Sequence, residues 1–200
     1  MVIAHWLTFS RPLLAALFCV CLAALGGRGR LSLGAAVVLV VLGIVEELTD
    51  LLDGIVARRR GVASELGGIL DPLADSLARL AIYFALALTG WVTVAVPLVM
   101  TARDIIVAYT RIVQARTGGH TAARLAGKIK AIIQGVGIPV LVALAWLGGA
   151  WRQDVALWAR WVVAAIVMAG TAGSAVQYVQ GALPRLNQMA QPKPPQGPGN

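Results

Sequence analysis

Seven of the nine acidic residues of this chain lie close together, inside segments that are otherwise apolar. They are Glu46, Glu47, Asp50, Asp53, Glu65, Asp71 and Asp75. A carboxylate at bilayer depth costs several kcal/mol unless it is paired, solvated or bound to a metal. Stability alone would not concentrate acidic residues in such a segment, so their grouping predicts a cationic partner.

The spacing of four aspartates indicates what that partner is. Asp50 and Asp53 are three residues apart, and Asp71 and Asp75 are four apart, so each pair shares one face of a helix. Carboxylate oxygens suit Mg²⁺, Mn²⁺ or Ca²⁺ better than zinc. Four carboxylates outweigh the charge of one divalent ion, which favours a two-metal site of the kind that catalyses phosphoryl transfer. The alternative is a buried ion-pair network neutralised by the arginines at 58–60.

The same aspartates belong to a longer pattern that resembles a known family. The pattern is similar, without gap or substitution, to the signature of the CDP-alcohol phosphatidyltransferases. Its fixed positions are Asp50, Asp53, Gly54, Ala57, Arg58, Gly67, Asp71 and Asp75. The resemblance implies an enzyme that transfers a phosphatidyl group from CDP-diacylglycerol to a small alcohol and releases CMP.

The resemblance also implies a role for each signature residue. The four aspartates would hold two Mg²⁺ or Mn²⁺ ions, and Asp75 would also be the general base. The nucleotide and its diphosphate would lie against Gly54, Ala57, Arg58 and Gly67. A homodimer is a further implication of the resemblance.

Basic residues in the second half of the chain resemble the phosphatidylglycerophosphate synthase branch of that family. They would bind the phosphate of glycerol 3-phosphate, and they are Arg103, Arg111, Lys128 and Lys130. That branch usually has Glu, Thr and Lys where this chain has Asp104, Ala131 and Ser76. Inositol phosphate, which also needs a basic pocket, therefore stays open as an acceptor, and another polar alcohol such as serine fits the cations less well.

A membrane cation transporter is the competing class of function, because charged residues within a membrane are often ion-binding sites. The carboxylates, however, gather at one face of the membrane and do not form a path across it. The rest of the chain carries only two further acidic residues, Asp104 and Asp154. The distribution favours the transferase.

Composition predicts the fold class. The chain has 200 residues, of which 58% are hydrophobic and 13% charged, whereas soluble domains have about 25% charged residues. We expect an all-α integral membrane protein with a short N-terminal interfacial segment at 1–9 and six transmembrane helices. The expected spans are Pro12–Leu25, Leu33–Ala57, Glu65–Leu88, Val92–Val113, Leu125–Leu147 and Val155–Val179. The membrane domain covers 1–188, and a Pro/Gly-rich tail at 189–200 is expected to be disordered.

Charge predicts partners and orientation. The formal net charge of +8 favours anionic lipids and phosphate groups, and no nucleic-acid-binding pattern is present. Six spans put both termini on one side, and the positive-inside rule places the termini and the acidic site at the cytoplasmic face of the membrane. Two histidines, His5 and His120, are too few for a histidine metal cluster.

Three charged residues outside the signature have two interpretations each. Arg79 continues the stripe of Asp71 and Asp75 at four-residue steps, so it is an ion-pair partner of Asp75 or a phosphate contact. Glu46 is a partner for Arg58 or Arg79, or an extra metal ligand. Arg11 faces the site or anchors the first helix at the membrane interface.

Overall fold

A computed structural model describes residues 2–26, 31–60, 65–116, 124–150 and 153–190. Side chains are described for 10–26, 31–49, 71–114, 125–149 and 153–184. These residues form six α-helices and, within the described ranges, no strand. The helices are α1 (Val2–Leu25), α2 (Leu33–Arg60), α3 (Glu65–Leu88), α4 (Ala95–Arg116), α5 (Arg124–Ala150) and α6 (Gln153–Ala190). The prediction of an all-α chain is confirmed.

Local sequence explains several helix ends. Ser32 precedes α2, and its hydroxyl accepts a hydrogen bond from the Ala35 amide at 3.2 Å, which caps the helix. At the end of α3, the Gly90 amide donates to the Ala87 carbonyl and the Trp91 amide to the Leu86 carbonyl, both at 3.0 Å. Gly90 has a φ of 75°, so a glycine suits this left-handed C-terminal cap.

Three predicted boundaries differ clearly from the observed ones. Helix α1 is continuous from Val2, so residues 2–9, expected as an interfacial segment ahead of a span that starts at Pro12, belong to the same helix. Helix α4 begins at Ala95 and not at Val92, because the connection uses Thr93 as the cap whose hydroxyl accepts from the Ala95 amide at 3.4 Å. Helix α6 continues to Ala190, eleven residues beyond the expected span. Residues 191–200, most of the expected tail, lie outside the described residues.

The helices pack in a closed ring whose order differs from their order in the chain. Going round the ring, α1 contacts α2, α2 contacts α5, α5 contacts α6, α6 contacts α4, and α4 contacts α3, which returns to α1. Helix α3 also contacts α5 across the ring. The ring therefore brings α2, α3 and α5 together around one interior, although α5 is remote from the other two in sequence.

The interior of the ring is apolar at one end and polar at the other. The apolar half contains Phe18, Leu22, Leu39, Ile82, Leu86, Met100, Ile138, Leu141 and Val167. The buried polar residues lie toward the end at which α2 finishes and α3 starts. They include Glu46, Arg79, Arg103, Lys130, Gln134, Thr171 and Ser174. The fold thus gathers the charged residues at the end that carries the signature.

Two helical segments of the described chain, Leu125–Gly149 and Gln153–Pro184, are long and apolar enough to cross a membrane. Ser10–Leu25 is a shorter apolar helix. Helices α3 and α4 each carry four charged residues, which lowers their hydropathy. Asp75, Arg79, Arg103 and Asp104 are among them and face the polar half of the interior.

Candidate active site

The polar half of the bundle is organised around one buried arginine. Arg79 on α3 is 1% exposed, and its Nε and Nη2 donate to the two carboxylate oxygens of Glu47 at 2.9 and 3.0 Å. Its Nη1 donates to Oδ2 of Asp75 at 2.8 Å. One guanidinium therefore joins the signature residue Asp75 to a carboxylate on α2. The predicted ion pair between Arg79 and Asp75 is confirmed.

The α2 residue that accepts hydrogen bonds from Arg79 is Glu47. Glu46, which was predicted as a partner for Arg58 or Arg79, interacts with Arg79 through its charge, and the Arg58 alternative lies outside the described side chains. The two glutamates are neighbours on a helix, so their side chains point about 100° apart and only one faces Arg79. Glu46 is itself 2% exposed and lies in the same interior. The Glu47 carboxylate packs on Gly135 of α5, where a β-carbon would overlap it. A glycine is needed there for the glutamate to reach the arginine.

The structure describes only part of the predicted metal site. Asp71 is exposed and Asp75 is partly buried, one turn apart on α3. Asp50 and Asp53 lie on the last turns of α2, but their side chains are outside the described residues, as are those of Gly54, Ala57, Arg58 and Gly67. Among the described side chains, no group of three or more His, Cys, Asp or Glu residues is arranged to hold a metal ion. The four-aspartate cage stays a prediction.

A second polar cluster lies between α4, α5 and α6, and its centre is Asp104. Oδ1 of Asp104 accepts from Nη1 of Arg103 at 2.7 Å and from Nζ of Lys130 at 3.3 Å. Both cations are buried, with Arg103 8% and Lys130 4% exposed. Two of the four predicted acceptor-binding residues thus share one carboxylate, so they lie within a few ångströms of each other.

Helix α6 supplies the remaining contacts of this cluster. Nε of Arg103 donates to the Ser174 hydroxyl at 2.8 Å, and the Arg103 guanidinium lies over the Tyr178 ring, 5.4 Å from its centroid. The guanidinium of Arg111 lies 5.7 Å from the same centroid, and its Nη2 donates to the Tyr178 hydroxyl at 3.3 Å. Arg103 and Arg111 are therefore held together by one aromatic ring.

Lys128 is the predicted acceptor-binding residue that this cluster does not include. It precedes Lys130 by two residues on α5, which turns its side chain to the exposed opposite face. Lys130 and Gln134, four residues apart on α5, are both buried. Gln134 connects α5 to two further helices. Its side-chain Nε2 donates to the Thr171 hydroxyl of α6 at 2.9 Å, and its backbone carbonyl accepts from the Tyr83 hydroxyl of α3 at 2.8 Å.

Arg11 lies in the interior as well. It is 5% exposed within the bundle. A side chain that anchors a helix at the membrane interface would be exposed, so the interface interpretation of Arg11 was wrong.

Comparison with known proteins decides the family. The sequence model of the CDP-alcohol phosphatidyltransferases matches residues 1–172, which is most of the chain and includes the whole signature. The chain belongs to this family. Arg79 and its two carboxylate partners lie within the matched residues of this transferase, whereas Ser174 and Tyr178 follow them.

Curated relatives of the transferase share one named activity. This chain is 31% identical over 142 residues to a CDP-diacylglycerol–glycerol-3-phosphate 3-phosphatidyltransferase of Bacillus subtilis. The match covers 68% of this chain and 74% of that protein. The Escherichia coli protein of the same name is 32% identical over 147 residues, covering 69% and 74%. A probable phosphatidylglycerophosphate synthase of Mycobacterium tuberculosis is 35% identical over 99 residues, covering 48% and 45%.

The described donors of the transferase fit a divalent metal in their chemistry. Asp71 and Asp75 offer hard carboxylate oxygens from one helix face, as Mg²⁺ and Mn²⁺ prefer. The hydrogen bond from Arg79 engages Oδ2 of Asp75 and fixes the direction of that carboxylate. Sequence reasoning missed Glu47, Ser174 and Tyr178 as parts of the site. Glu47 was recognised only as a member of the acidic group, and Ser174 and Tyr178 belong to no recognisable motif, whereas the arginines that they contact were identified by type.

Proposed function

We propose that this transferase moves the phosphatidyl group of CDP-diacylglycerol to glycerol 3-phosphate and releases CMP. The observation that carries the proposal is the cluster of buried cations, Arg103 and Lys130, next to the helices that bear the signature. A phosphorylated acceptor complements buried positive charge, whereas an uncharged alcohol does not. The activity named for the Bacillus and Escherichia relatives supports the same acceptor.

In the proposed donor site, Asp50, Asp53, Asp71 and Asp75 would hold two Mg²⁺ or Mn²⁺ ions. Such ions neutralise the charge of a diphosphate and stabilise the CMP leaving group. Gly54 and Gly67 have no side chain and Ala57 has only a methyl group, so the nucleotide would approach the helix backbone closely, and Arg58 would contact the diphosphate. The lipid tails of the donor would lie between helices, in contact with the bilayer.

The proposed reaction is a substitution at phosphorus. The acceptor hydroxyl oxygen forms a bond to the lipid-side phosphorus of CDP-diacylglycerol, and the bond from that phosphorus to the bridging oxygen breaks. CMP leaves with the bonding electron pair. Asp75 takes the proton of the attacking hydroxyl, and the hydrogen bond from Arg79 to Oδ2 holds the carboxylate in place.

The proposed acceptor site is the cluster around Asp104. Arg103, Arg111 and Lys130 bind the phosphate of glycerol 3-phosphate, and Lys128 attracts it from the exposed face of α5. Asp104 orients the two cations that it bonds. The site thus positions a phosphate on one side of the interior while the donor lies on the signature side.

The proposed setting is a membrane crossed by all six helices. If the six helices cross in alternating directions, most of the basic residues of the sequence fall at the end of the bundle that carries the signature. The positive-inside rule then places this end and both termini in the cytoplasm, where CDP-linked donors and phosphorylated alcohols meet. We include the homodimer implied by the family resemblance in this proposal.

The test is CMP release by the purified protein in detergent. CDP-diacylglycerol and Mg²⁺ or Mn²⁺ are supplied with glycerol 3-phosphate, inositol phosphate, inositol or serine in separate reactions. We expect rapid release only with glycerol 3-phosphate, abolished by a chelator and restored by added metal. Release with inositol phosphate alone would replace the proposed acceptor, and release that a chelator does not affect would contradict the two-metal site.

A further inference from the structure

We propose that Ser174 and Tyr178 of α6 are positioning residues that determine the affinity of this transferase for its phosphorylated acceptor. The inference rests on the proposed function and extends it to a helix for which the sequence suggested no role in the site. Both residues follow position 172, where the match to the family model ends. They therefore belong to a part of the chain that the family pattern does not specify.

The first step of the argument is the charge of the cluster. Of the four charged side chains that these contacts join, Arg103, Arg111 and Lys130 are cationic and Asp104 is anionic. Arg103 and Lys130 are buried, where like charges repel each other strongly, and Arg111 lies exposed at the edge of the cluster. Such a cluster is suited to an added anion, and a phosphate monoester with two negative charges would balance the excess positive charge.

The second step is how the cations are kept together without the anion. The Tyr178 ring lies beneath the guanidinium groups of Arg103 and Arg111, 5.4 and 5.7 Å from their central carbons. The negative face of an aromatic ring attracts cations, so one ring offsets part of the repulsion between two arginines. Tyr178 is itself 3% exposed, and its position is fixed by packing.

The third step is the orientation of each arginine. Ser174 accepts a hydrogen bond from Nε of Arg103 at 2.8 Å, and donates to the Thr171 carbonyl at 2.9 Å. The Tyr178 hydroxyl accepts from Nη2 of Arg111 at 3.3 Å. These bonds fix one edge of each guanidinium and leave other donors of the fork for a ligand. An arginine fixed in this way loses less entropy when it binds phosphate.

Backbone space near the tyrosine supports the same interpretation. A β-carbon at Gly127 would lie 3.3 Å from the Tyr178 hydroxyl oxygen. The absence of a side chain there lets α5 bring Lys130 close to the arginines while the ring keeps its place. Helices α4, α5 and α6 therefore all contribute to the geometry of the cations.

The test compares steady-state constants of three variants, Ser174→Ala, Tyr178→Phe and Tyr178→Leu, with those of the unchanged protein. We expect the KM for the phosphorylated acceptor to rise about tenfold in Ser174→Ala and Tyr178→Leu and about threefold in Tyr178→Phe, which keeps the ring. The KM for CDP-diacylglycerol and kcat at saturating acceptor should change less than twofold. A purely structural role would change all these constants together.

The matched control is Tyr109→Phe, because Tyr109 is 69% exposed on α4. It should leave every constant unchanged. The decision rests on Ser174→Ala and Tyr178→Phe, which each remove one oxygen atom, and thermal unfolding in detergent checks that they fold. An unchanged acceptor KM in both would overturn the proposal.

Acceptor choice separates this proposal from the proposed function. If the unchanged protein uses inositol phosphate, the glycerol 3-phosphate assignment fails, and the same shift in the KM for inositol phosphate still supports the positioning role. If it uses only an unphosphorylated alcohol, the positioning role is overturned. If it releases no CMP, glycerol 3-phosphate should still raise the unfolding temperature of the unchanged protein more than that of Tyr178→Leu, and equal shifts overturn the role.

Discussion

Arg79 is the residue on which two helices depend. It is almost fully buried, yet every nitrogen of its guanidinium donates to a carboxylate, two to Glu47 and one to Asp75. A buried charge is tolerated when its partners satisfy it in this way. The same three bonds leave the two carboxylates dependent on the arginine, because without it they would repel each other in a poorly solvated interior.

We therefore expect Arg79→Ala to destabilise the protein by about 3–5 kcal/mol, the cost typical of removing one partner from a buried ion pair. Denaturant unfolding in detergent would measure the loss. The control is Arg160→Ala, since Arg160 is only partly buried on α6 and should cost much less. Equal losses in the two variants would show that the ion pairs of Arg79 contribute little.

At the scale of residues, the sequence predicted the contacts that depend on spacing along one helix. The pair of Asp75 and Arg79 is four residues apart on α3, so one helix sufficed to predict it. Glu47 was missed because choosing between Glu46 and Glu47 requires the rotation of α2 about its axis. That rotation depends on which helices pack against α2, and α2 alone does not determine it.

Helix α5 shows how an element adapts to a charged neighbour. Its glycines lie where side chains of other helices need to approach the backbone, and Gly135 faces the Glu47 carboxylate. The helix is continuous from Arg124 to Ala150, so the space at this position is created by the missing side chain. A larger residue at that position would push the glutamate away from Arg79.

Gly135→Ala should therefore lower the stability by about 1–3 kcal/mol and reduce activity, because the added methyl group overlaps the carboxylate. Gly173→Ala on α6 is the matched control, since a β-carbon at Gly173 meets no other atom within 4 Å. Alanine is the better helix former, so the control should be neutral or slightly stabilising. Thermal unfolding of both variants is the measurement, and an equally stable Gly135→Ala would refute the overlap.

At the scale of elements, hydropathy predicted all six helices, and their ends were predicted within a few residues except for the start of α1 and the end of α6. The order of packing could not be predicted in the same way. Membrane helices are apolar on most of their surface, so no amphipathic stripe indicates which face meets which neighbour. The contacts of α2 with α5 and of α4 with α6 therefore follow from the structure alone.

The whole molecule separates an apolar half from a polar half along the helix axes. Apolar residues such as Ile82 and Leu141 fill one half, while the charged clusters occupy the other. A water-soluble acceptor needs to reach only the polar half. In the proposed membrane setting, the entrance for the acceptor faces the cytoplasm.

The proposed orientation predicts the outcome of reporter fusions in bacterial cells. Green fluorescent protein fused after Asn200 should fluoresce, because the C-terminus is cytoplasmic, and alkaline phosphatase fused there should be inactive. Fusions after Gly90, in the connection between α3 and α4, should give the opposite pair of signals. Active phosphatase at the C-terminus would reverse the orientation, and equal signals at both sites would contradict the six-span arrangement.

At the scale of the molecule, the sequence predicted the reaction class better than the acceptor site. The signature lies on one stretch with fixed spacing, so eight positions sufficed to indicate the family. The acceptor cluster combines residues of α4, α5 and α6 that are up to 75 residues apart, from Arg103 to Tyr178. Its cations could be identified by residue type. Ser174 and Tyr178, which contact the two arginines, belong to no sequence motif.

The position of Ser174 and Tyr178 after residue 172 has an evolutionary consequence. If the donor chemistry is encoded in 50–75 and the hold on the acceptor partly in α6, then the two can diverge independently. A lineage could exchange its alcohol by altering two or three positions of the last helix without touching the aspartates. Similarity over the first 150 residues would then be inherited together with the reaction and the cations for the acceptor, while the affinity for each phosphorylated alcohol would be free to change.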